Sequence, residues 1–78
     1  MFVTLDEAIG AGEAGRWLDA QLRVSPSNCD EWFVLLRDRD YKSFVLLDNE
    51  QRPIAMSDLN RLATCVQSVG LREFTVFF

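Results

Sequence analysis

Apolar residues recur at intervals of three and four in the first third of the chain, which is the period of an amphipathic helix. The predicted apolar side of this helix carries Ala14, Trp17, Leu18, Gln21 and Leu22. The opposite side carries Glu13, Arg16, Asp19 and Arg23. Pro26 lies between serines and is followed by an asparagine, a composition typical of a turn. The pattern therefore predicts a helix that ends before Pro26.

A helix start precedes this segment. Thr4 and Glu7 have the spacing of a capping box, in which each side chain accepts a hydrogen bond from the backbone N–H of the other residue. A helix should therefore begin at Thr4. Gly10 and Gly12 follow, and a glycine in a helix interior costs up to about 1 kcal/mol relative to alanine. We expect a break in the helix between these two glycines.

The hydrophobic period changes after Glu31, where two short apolar runs are separated by charged residues. Residues 32–36 and 43–47 are rich in aromatic and branched side chains, which favours strands. The charged residues 37–40 then form a predicted hairpin turn. A second turn at residues 48–51 leads to a short third strand at residues 52–55, which Pro53 restricts to a sheet edge or a bulge.

The last part of the chain predicts a helix followed by a strand. Ser57 is the predicted N-cap, and Gly70 stands where a left-handed C-terminal cap is expected. The apolar stripe between them consists of Leu59, Leu62, Ala63, Val66 and Val69. Residues 71–78 then form a predicted terminal strand, because Phe74, Val76 and Phe78 alternate with other residues.

These elements predict a single α+β domain over residues 1–78. Its sheet layer would be a three-strand antiparallel meander, and its helical layer would combine the N-terminal helices with the last helix. Both layers are simplest if all helices lie on one face of the sheet. The C-terminal strand could pair in parallel with the third strand through a right-handed crossover.

Composition limits the chemistry. The chain has 78 residues, 12 Asp and Glu, 8 Lys and Arg, no His, and a formal charge of -4. Without histidine, neither a Ser-His-Asp nor a Cys-His arrangement can form, so we expect no enzymatic activity. Cys29 and Cys65 form no CxxC pair and lack histidine partners for zinc. The sequence therefore predicts no metal and no cofactor.

The N-terminus lacks the basic segment and the long apolar run of a signal peptide, and no stretch approaches the ~18 apolar residues of a membrane span. We therefore expect a cytoplasmic, reduced protein with unbridged Cys29 and Cys65 and no membrane partner. A short, acidic, histidine-free chain that uses arginine rather than lysine is typical of bacterial or phage proteins.

Two local motifs have simpler interpretations than a catalytic or metal site. Residues 10–15 contain three glycines, as a phosphate cradle does, but no Lys, Ser or Thr follows them and Glu13 would repel an anion. Asp38 and Asp40 flank Arg39 in the predicted hairpin turn. We expect them to be solvated turn carboxylates rather than a metal-binding pair, because no third ligand is visible.

A basic cluster offers an alternative function, RNA or DNA binding. Its predicted contact residues are Arg37, Arg39, Tyr41, Lys42 and Arg52. The order helix, three strands, helix is also similar to that of double-stranded RNA-binding domains. The last helix, however, begins with Ser57 and Asp58, where such a domain would carry basic residues. The negative net charge also disfavours phosphate binding, and pairing of the arginines with nearby carboxylates is the simpler interpretation. The expected carboxylate partners are Asp38, Asp40, Asp48 and Glu50.

Apolar residues occupy both sides of the central strands, whereas a sheet with one solvated face alternates apolar and polar residues. Trp32 and Val34 would fill one face while Phe33 and Leu35 fill the other. The second face, together with the terminal strand, is the predicted partner-binding surface. Its residues are Phe33, Leu35, Val45, Leu47, Phe77 and Phe78. The alternative is that the helices cover both faces.

The sequence therefore predicts a small non-enzymatic protein-interaction module that forms a homodimer or binds another protein. Inhibitors, antitoxins, immunity proteins and adaptors belong to this class. Nucleic-acid binding is one alternative. A small-ligand binder, in which Trp17 and Trp32 form a stacking wall, is the other.

Overall fold

The computed structural model describes all 78 residues as an α+β fold with two helices and a mixed six-stranded sheet, which confirms the predicted fold class. The helices are α1 (Leu5–Glu13) and α2 (Leu59–Ser68). The strands are β1 (Phe2–Thr4), β2 (Trp17–Ser25), β3 (Asn28–Asp38), β4 (Ser43–Leu47), β5 (Ala55–Met56) and β6 (Thr75–Phe77). Neither helix is long and apolar enough to cross a membrane.

The strand order across the sheet is β1-β4-β3-β2-β6. β5 pairs with the same edge of β3 as β4 does, but with residues 32–33 rather than 35–37. The outer strands β1 and β6 are parallel to their neighbours, whereas β3 is antiparallel to β2, β4 and β5. The hairpin of β3 and β4 is as predicted. The predicted third strand does not complete an antiparallel meander, because β5 runs in the same direction as β4. The antiparallel pairing of this segment with β4 is limited to a single bridge between Leu47 and Pro53.

The predicted helix that ends before Pro26 is wrong, because residues 17–25 form β2. Ala20, Leu22 and Val24 face the helices at alternate positions, as in any strand. A register shift between Trp17 and Asp19 places Trp17 three residues before Ala20 on the buried side. The three-residue spacing that results is also the spacing of a helix, which explains the incorrect prediction. In the folded chain, pairing with β3 determines the conformation of this segment rather than its local pattern of apolar residues.

The N-terminal helix begins as predicted but does not break. The Thr4 Oγ1 accepts from the Glu7 N–H at 3.3 Å, and the Glu7 carboxylate accepts from the Thr4 N–H at 3.1 Å. Helix α1 then continues through both Gly10 and Gly12 to Glu13. Gly12 is needed for another reason: a Cβ at this position would lie 1.9 Å from the backbone oxygen of Val69. The glycine therefore lets α1 approach the C-terminal end of α2.

Helix α2 buries Leu62 and Val66 of the predicted stripe, whereas Leu59, the first member of that stripe, is exposed. Its N-cap is Asp58 rather than Ser57, because the Asp58 carboxylate accepts from the N–H groups of Asn60 and Arg61 at 3.0 and 3.3 Å. Leu62 and Val66 are buried on the sheet, and Gly70 adopts the expected left-handed conformation with φ 94°.

Both helices lie on one face of the sheet. One cluster of buried apolar side chains joins Ala8 of α1 and Leu62 of α2 to the strands. The strand members of this cluster are Trp17, Ala20, Leu22, Val34, Leu36 and Leu46. The alternative in which the helices cover both faces is therefore wrong, and the second face has no helix on it.

The terminal strand is shorter than residues 71–78 and pairs with β2, not with the third predicted strand. Its partner, β2, lies in the segment that the sequence pattern predicts to be a helix. Leu71 and Phe74 precede the strand and pack against the buried cluster, so they close the core rather than extend the sheet.

We predict that Leu62→Ala lowers the free energy of unfolding by about 2–5 kcal/mol, since this side chain is 0% exposed and its removal leaves a cavity. Leu59→Ala is the matched control on the same helix, because Leu59 is 36% exposed and should cost much less. Urea denaturation of both variants measures the difference. Equal losses would show that the buried stripe of α2 is misassigned.

We also predict opposite effects for two glycines of α1. Gly10→Ala should stabilise the protein by up to about 1 kcal/mol, since a Cβ at this position meets nothing within 4 Å and alanine favours the helix. Gly12→Ala should destabilise it, since backbone atoms of Val69 must move. Thermal denaturation followed by circular dichroism would measure both. A stabilising Gly12→Ala would mean that the two helices are not in close contact.

Candidate functional site

The candidate site is the sheet face that carries no helix, called here the open face. Cross-strand partners point to the same side of a sheet, so the register defines its rows. One row runs from β1 to β6 and consists of Phe2, Val45, Leu35, Gln21 and Thr75. The next consists of Ala55, Phe33, Arg23 and Phe77. The open face is therefore apolar over β1, β4 and β3 and polar along β2.

The structure brings together five of the six predicted partner-binding residues. Phe33, Leu35, Val45 and Leu47 are half-buried neighbours on the open face, and Phe77 lies on the same face at the β6 edge. None of them belongs to the buried core. Phe2, which the sequence reading did not single out, extends this surface and is 68% exposed.

Phe78 does not belong with the other five residues. It is 96% exposed, and its ring lies edge-on to Trp32 at a centroid distance of 6.2 Å. Trp32 lies on the helix side of β3, next to Val24 and Met56 in the register. Phe78 therefore faces away from the open face, because one residue along a strand reverses the side to which a side chain points.

A recess of about 410 Å³ opens on this face where β4 and β5 diverge. After Val45 the β4 strand turns toward β1, and β5 takes its place beside Phe33. The recess is lined by Phe33, Val45, Pro53 and Ala55, with Ser25, Pro26, Ser27 and Glu31 around them. The Glu31 carboxylate forms no ion pair and no hydrogen bond with another side chain, so its charge is uncompensated beside an apolar surface.

Arg23 and Phe77 form a projection on the other half of the same face. The Arg23 guanidinium lies 4.3 Å from the centroid of the Phe77 ring, within the range of a cation–π contact. Its Nε donates to the Gln21 Oε1 at 3.0 Å, and no carboxylate pairs with it. The sequence pattern placed Arg23 on the polar side of a helix, so this stack could not be foreseen.

The five basic-cluster residues do not form one cationic patch. Arg37 pairs with Asp19 on β2, and Arg52 pairs with Asp48 and Glu50 within its own turn. The sequence predicts only the Arg52 pairs, because its pattern places Asp19 on a helix. Arg39 donates to the Gly15 carbonyl at 2.8 Å.

The remaining members of that cluster lie in the first turn. Tyr41 has its ring 5.8 Å from the Arg37 guanidinium, and Lys42 is exposed without an ion pair. Arg52 belongs to the turn at the far end of β4, about 15 Å away at the usual rise per strand residue.

The turns at the two ends of β4 have the same construction. In the loop from Asp38 to Lys42, the Asp38 Oδ1 accepts from the N–H groups of Asp40 and Lys42, both at 2.9 Å. In the loop from Asp48 to Arg52, the Asp48 Oδ1 accepts from the N–H groups two and four residues later, at 2.9 and 3.0 Å. The fourth residues, Tyr41 and Gln51, both have positive φ, 64° and 65°.

The Asp38 loop corrects the expectation of a solvated carboxylate. Asp38 is 1% exposed, and its Oδ2 has only Arg16 nearby, at 4.0 Å. Its role is to hold the turn. The shared pattern of an aspartate, an acidic residue two positions later and a basic residue four positions later was the sequence signal for both loops.

The other groups that the sequence singled out are far from one another or engaged in the core. The Trp17 Nε1 donates to the Ala8 carbonyl at 2.8 Å, and the ring packs edge-on against Phe44. Trp32 pairs with Val24, seven residues along β2 from Trp17 and so more than about 20 Å away. The two tryptophans therefore form no stacking wall.

The cysteines are unbridged. Cys29 is exposed and Cys65 is half-buried, and burial raises the pKa of the Cys65 thiol. No group of three Cys, Asp or Glu side chains is arranged to hold a metal ion.

No protein-family model, no curated protein and no solved structure matches this chain.

We predict that Asp48→Asn weakens the fold at neutral pH and has a smaller effect in acid. The Arg52 and Glu50 N–H groups, with the Arg52 charge, hold the pKa of Asp48 below the usual value of an aspartate. A carboxyl group with a lowered pKa stabilises the fold above its unfolded-state pKa and loses this effect as the pH falls through its folded-state value. Urea denaturation at pH 7 and pH 3 should therefore show a difference between variant and wild type that narrows at pH 3. A constant difference would contradict the assignment.

Proposed function

We propose that this chain is a small non-enzymatic protein-interaction module that associates with a second copy of itself through the open face. The observation that supports the proposal is the position of both helices on the opposite side of the sheet. This leaves apolar side chains of four strands next to one another and in contact with solvent. Contiguous apolar surface of this kind is the usual mark of an interaction site.

The energetics favour covering this surface. Burying about 400 Å² of apolar area on each copy is worth on the order of 20 kcal/mol at about 25 cal/mol per Å², which exceeds association costs of about 4–15 kcal/mol. A standard interface buries about 800 Å² on each partner. That is roughly a sixth of the 5073 Å² surface, or about one side of a molecule measuring 33 × 25 × 21 Å. The open face is one such side.

The open face is a better candidate for the dimer interface than the exposed edge of β6. β6 contains three residues and offers few backbone groups for edge-to-edge pairing. The open face offers Phe2, Phe33, Leu35, Val45 and Leu47 as a continuous surface. Phe77 contributes to that surface from the same edge strand, so face packing also uses the apolar part of β6.

The proposed class is that of inhibitors, antitoxins, immunity proteins and adaptors, whose activity is defined by the protein they bind. A sequence without histidine supports a binding role over catalysis. Pairing of Arg37 and Arg52 with carboxylates supports a protein partner over a nucleic acid. Two free cysteines agree with a reducing, cytoplasmic setting.

Light scattering at micromolar concentration should report a mass near twice 8.9 kDa. Val45→Asp and Leu47→Asp should each produce a monomer, because a carboxylate would be buried without a partner in the interface. Asn60→Asp is the control, because it places the same group on an exposed position of α2 behind the sheet. That variant should remain a dimer.

Circular dichroism checks that each variant is folded. A wild-type protein that stays monomeric, melts at high temperature and binds no apolar dye would contradict the proposed function.

A further inference from the structure

We propose that the two copies pack open face against open face, with the Arg23–Phe77 projection of each copy inserted into the recess of the other. This inference rests on the proposed function and adds to it the arrangement of the interface. In it, the Arg23 guanidinium meets the Glu31 carboxylate of the second copy. A symmetric dimer contains each such contact twice, because residue i of the first copy meets residue j of the second and residue j of the first meets residue i of the second.

The chemistry of the projection complements that of the recess. Arg23 is a cation stacked on an aromatic ring, and no carboxylate in its own chain compensates it. The recess combines an apolar lining that includes Phe33 and Ala55 with Glu31, an anion that also lacks an ion pair. Either charge would be costly to bury alone, and each can compensate the other across the interface.

The register places the two features in a geometry that a two-fold axis can join. Phe77, Arg23, Phe33 and Ala55 form one row across β6, β2, β3 and β5. An axis parallel to the strands, lying between the two sheets and midway between β2 and β3, reverses this row. Arg23 then lies over Phe33 of the second copy, and Phe77 lies over its Ala55.

The dimensions agree with this arrangement. Neighbouring strands are about 4.8 Å apart, so the projection and the recess lie about 10 Å from each other in one copy. Glu31 lines the same recess as Phe33, so the long side chain of Arg23 from the second copy, which lies over Phe33, can reach it. The recess volume of about 410 Å³ is in the range that accommodates ligand-sized groups. Aligned packing of two sheets is a common geometry in proteins.

A charge exchange tests the contact. Arg23→Glu places two carboxylates together at each contact, and Glu31→Arg places two guanidinium groups together. Either single variant should raise the dimer dissociation constant at least tenfold, measured by analytical ultracentrifugation. The double variant restores opposite charges and should return the constant to within about threefold of wild type, because the two effects are coupled.

A size test is independent of charge. Ala55→Leu fills the recess and should also weaken the dimer at least tenfold, while Asn60→Asp on α2 should leave it unchanged. Glu31→Arg does not depend on the Arg23–Phe77 stack, so it remains informative even if Arg23→Glu disturbs β6.

The outcomes separate this arrangement from the proposed function itself. If Val45→Asp dissociates the dimer but the exchanged charges act additively, or the single variants have no effect, the arrangement is overturned and the proposed function stands. If the wild-type protein is monomeric at every concentration, both are overturned.

Discussion

The pairing of β2 with β3 is the interaction on which the rest of the structure depends. These two strands form the centre of the sheet and are joined by the tight turn at Pro26 and Ser27. One edge of the pair accepts β4 and β5, and the other accepts β6. If residues 17–25 were a helix, β6 would have no partner, and Arg37 would have lost the Asp19 carboxylate beside it. The position of every outer strand therefore follows from this hairpin.

A second constraint follows from the connections. α1 connects β1 to β2 and α2 connects β5 to β6; both connections join parallel strands and cross the sheet in the same direction, so right-handed crossovers place both helices on the same side. Gly12 allows them to lie together there, because its missing side chain admits the backbone at Val69. The core is consequently a single layer between helices and sheet. Strands with apolar residues on both sides then necessarily leave one set of those residues on the open face.

Local signals in the sequence were sufficient where the structure is local. The capping box of Thr4 and Glu7, the stripe of α2 and the β3–β4 hairpin depend on neighbouring residues and were predicted. The strand β2 was not, because a register shift at Trp17 mimics helical spacing and only the distant β3 resolves the ambiguity. The same error hid Arg23, whose place on the open face exists only once β2 is a strand. Phe78, which the prediction assigns to the terminal strand, lies beside Trp32 on the helix side.

The open face has an apolar part and a polar band along β2. This division would make association through the face specific for one orientation of the two copies. A uniformly apolar surface would pack in many orientations, since hydrophobic attraction has no direction. The polar residues along β2, which are Asp19, Gln21 and Arg23, penalise any orientation that buries them against apolar side chains. Orientations that leave them exposed or pair them with opposite charge avoid that cost. A face whose apolar half lies beside a strand of polar and charged residues therefore favours one packing orientation over the others.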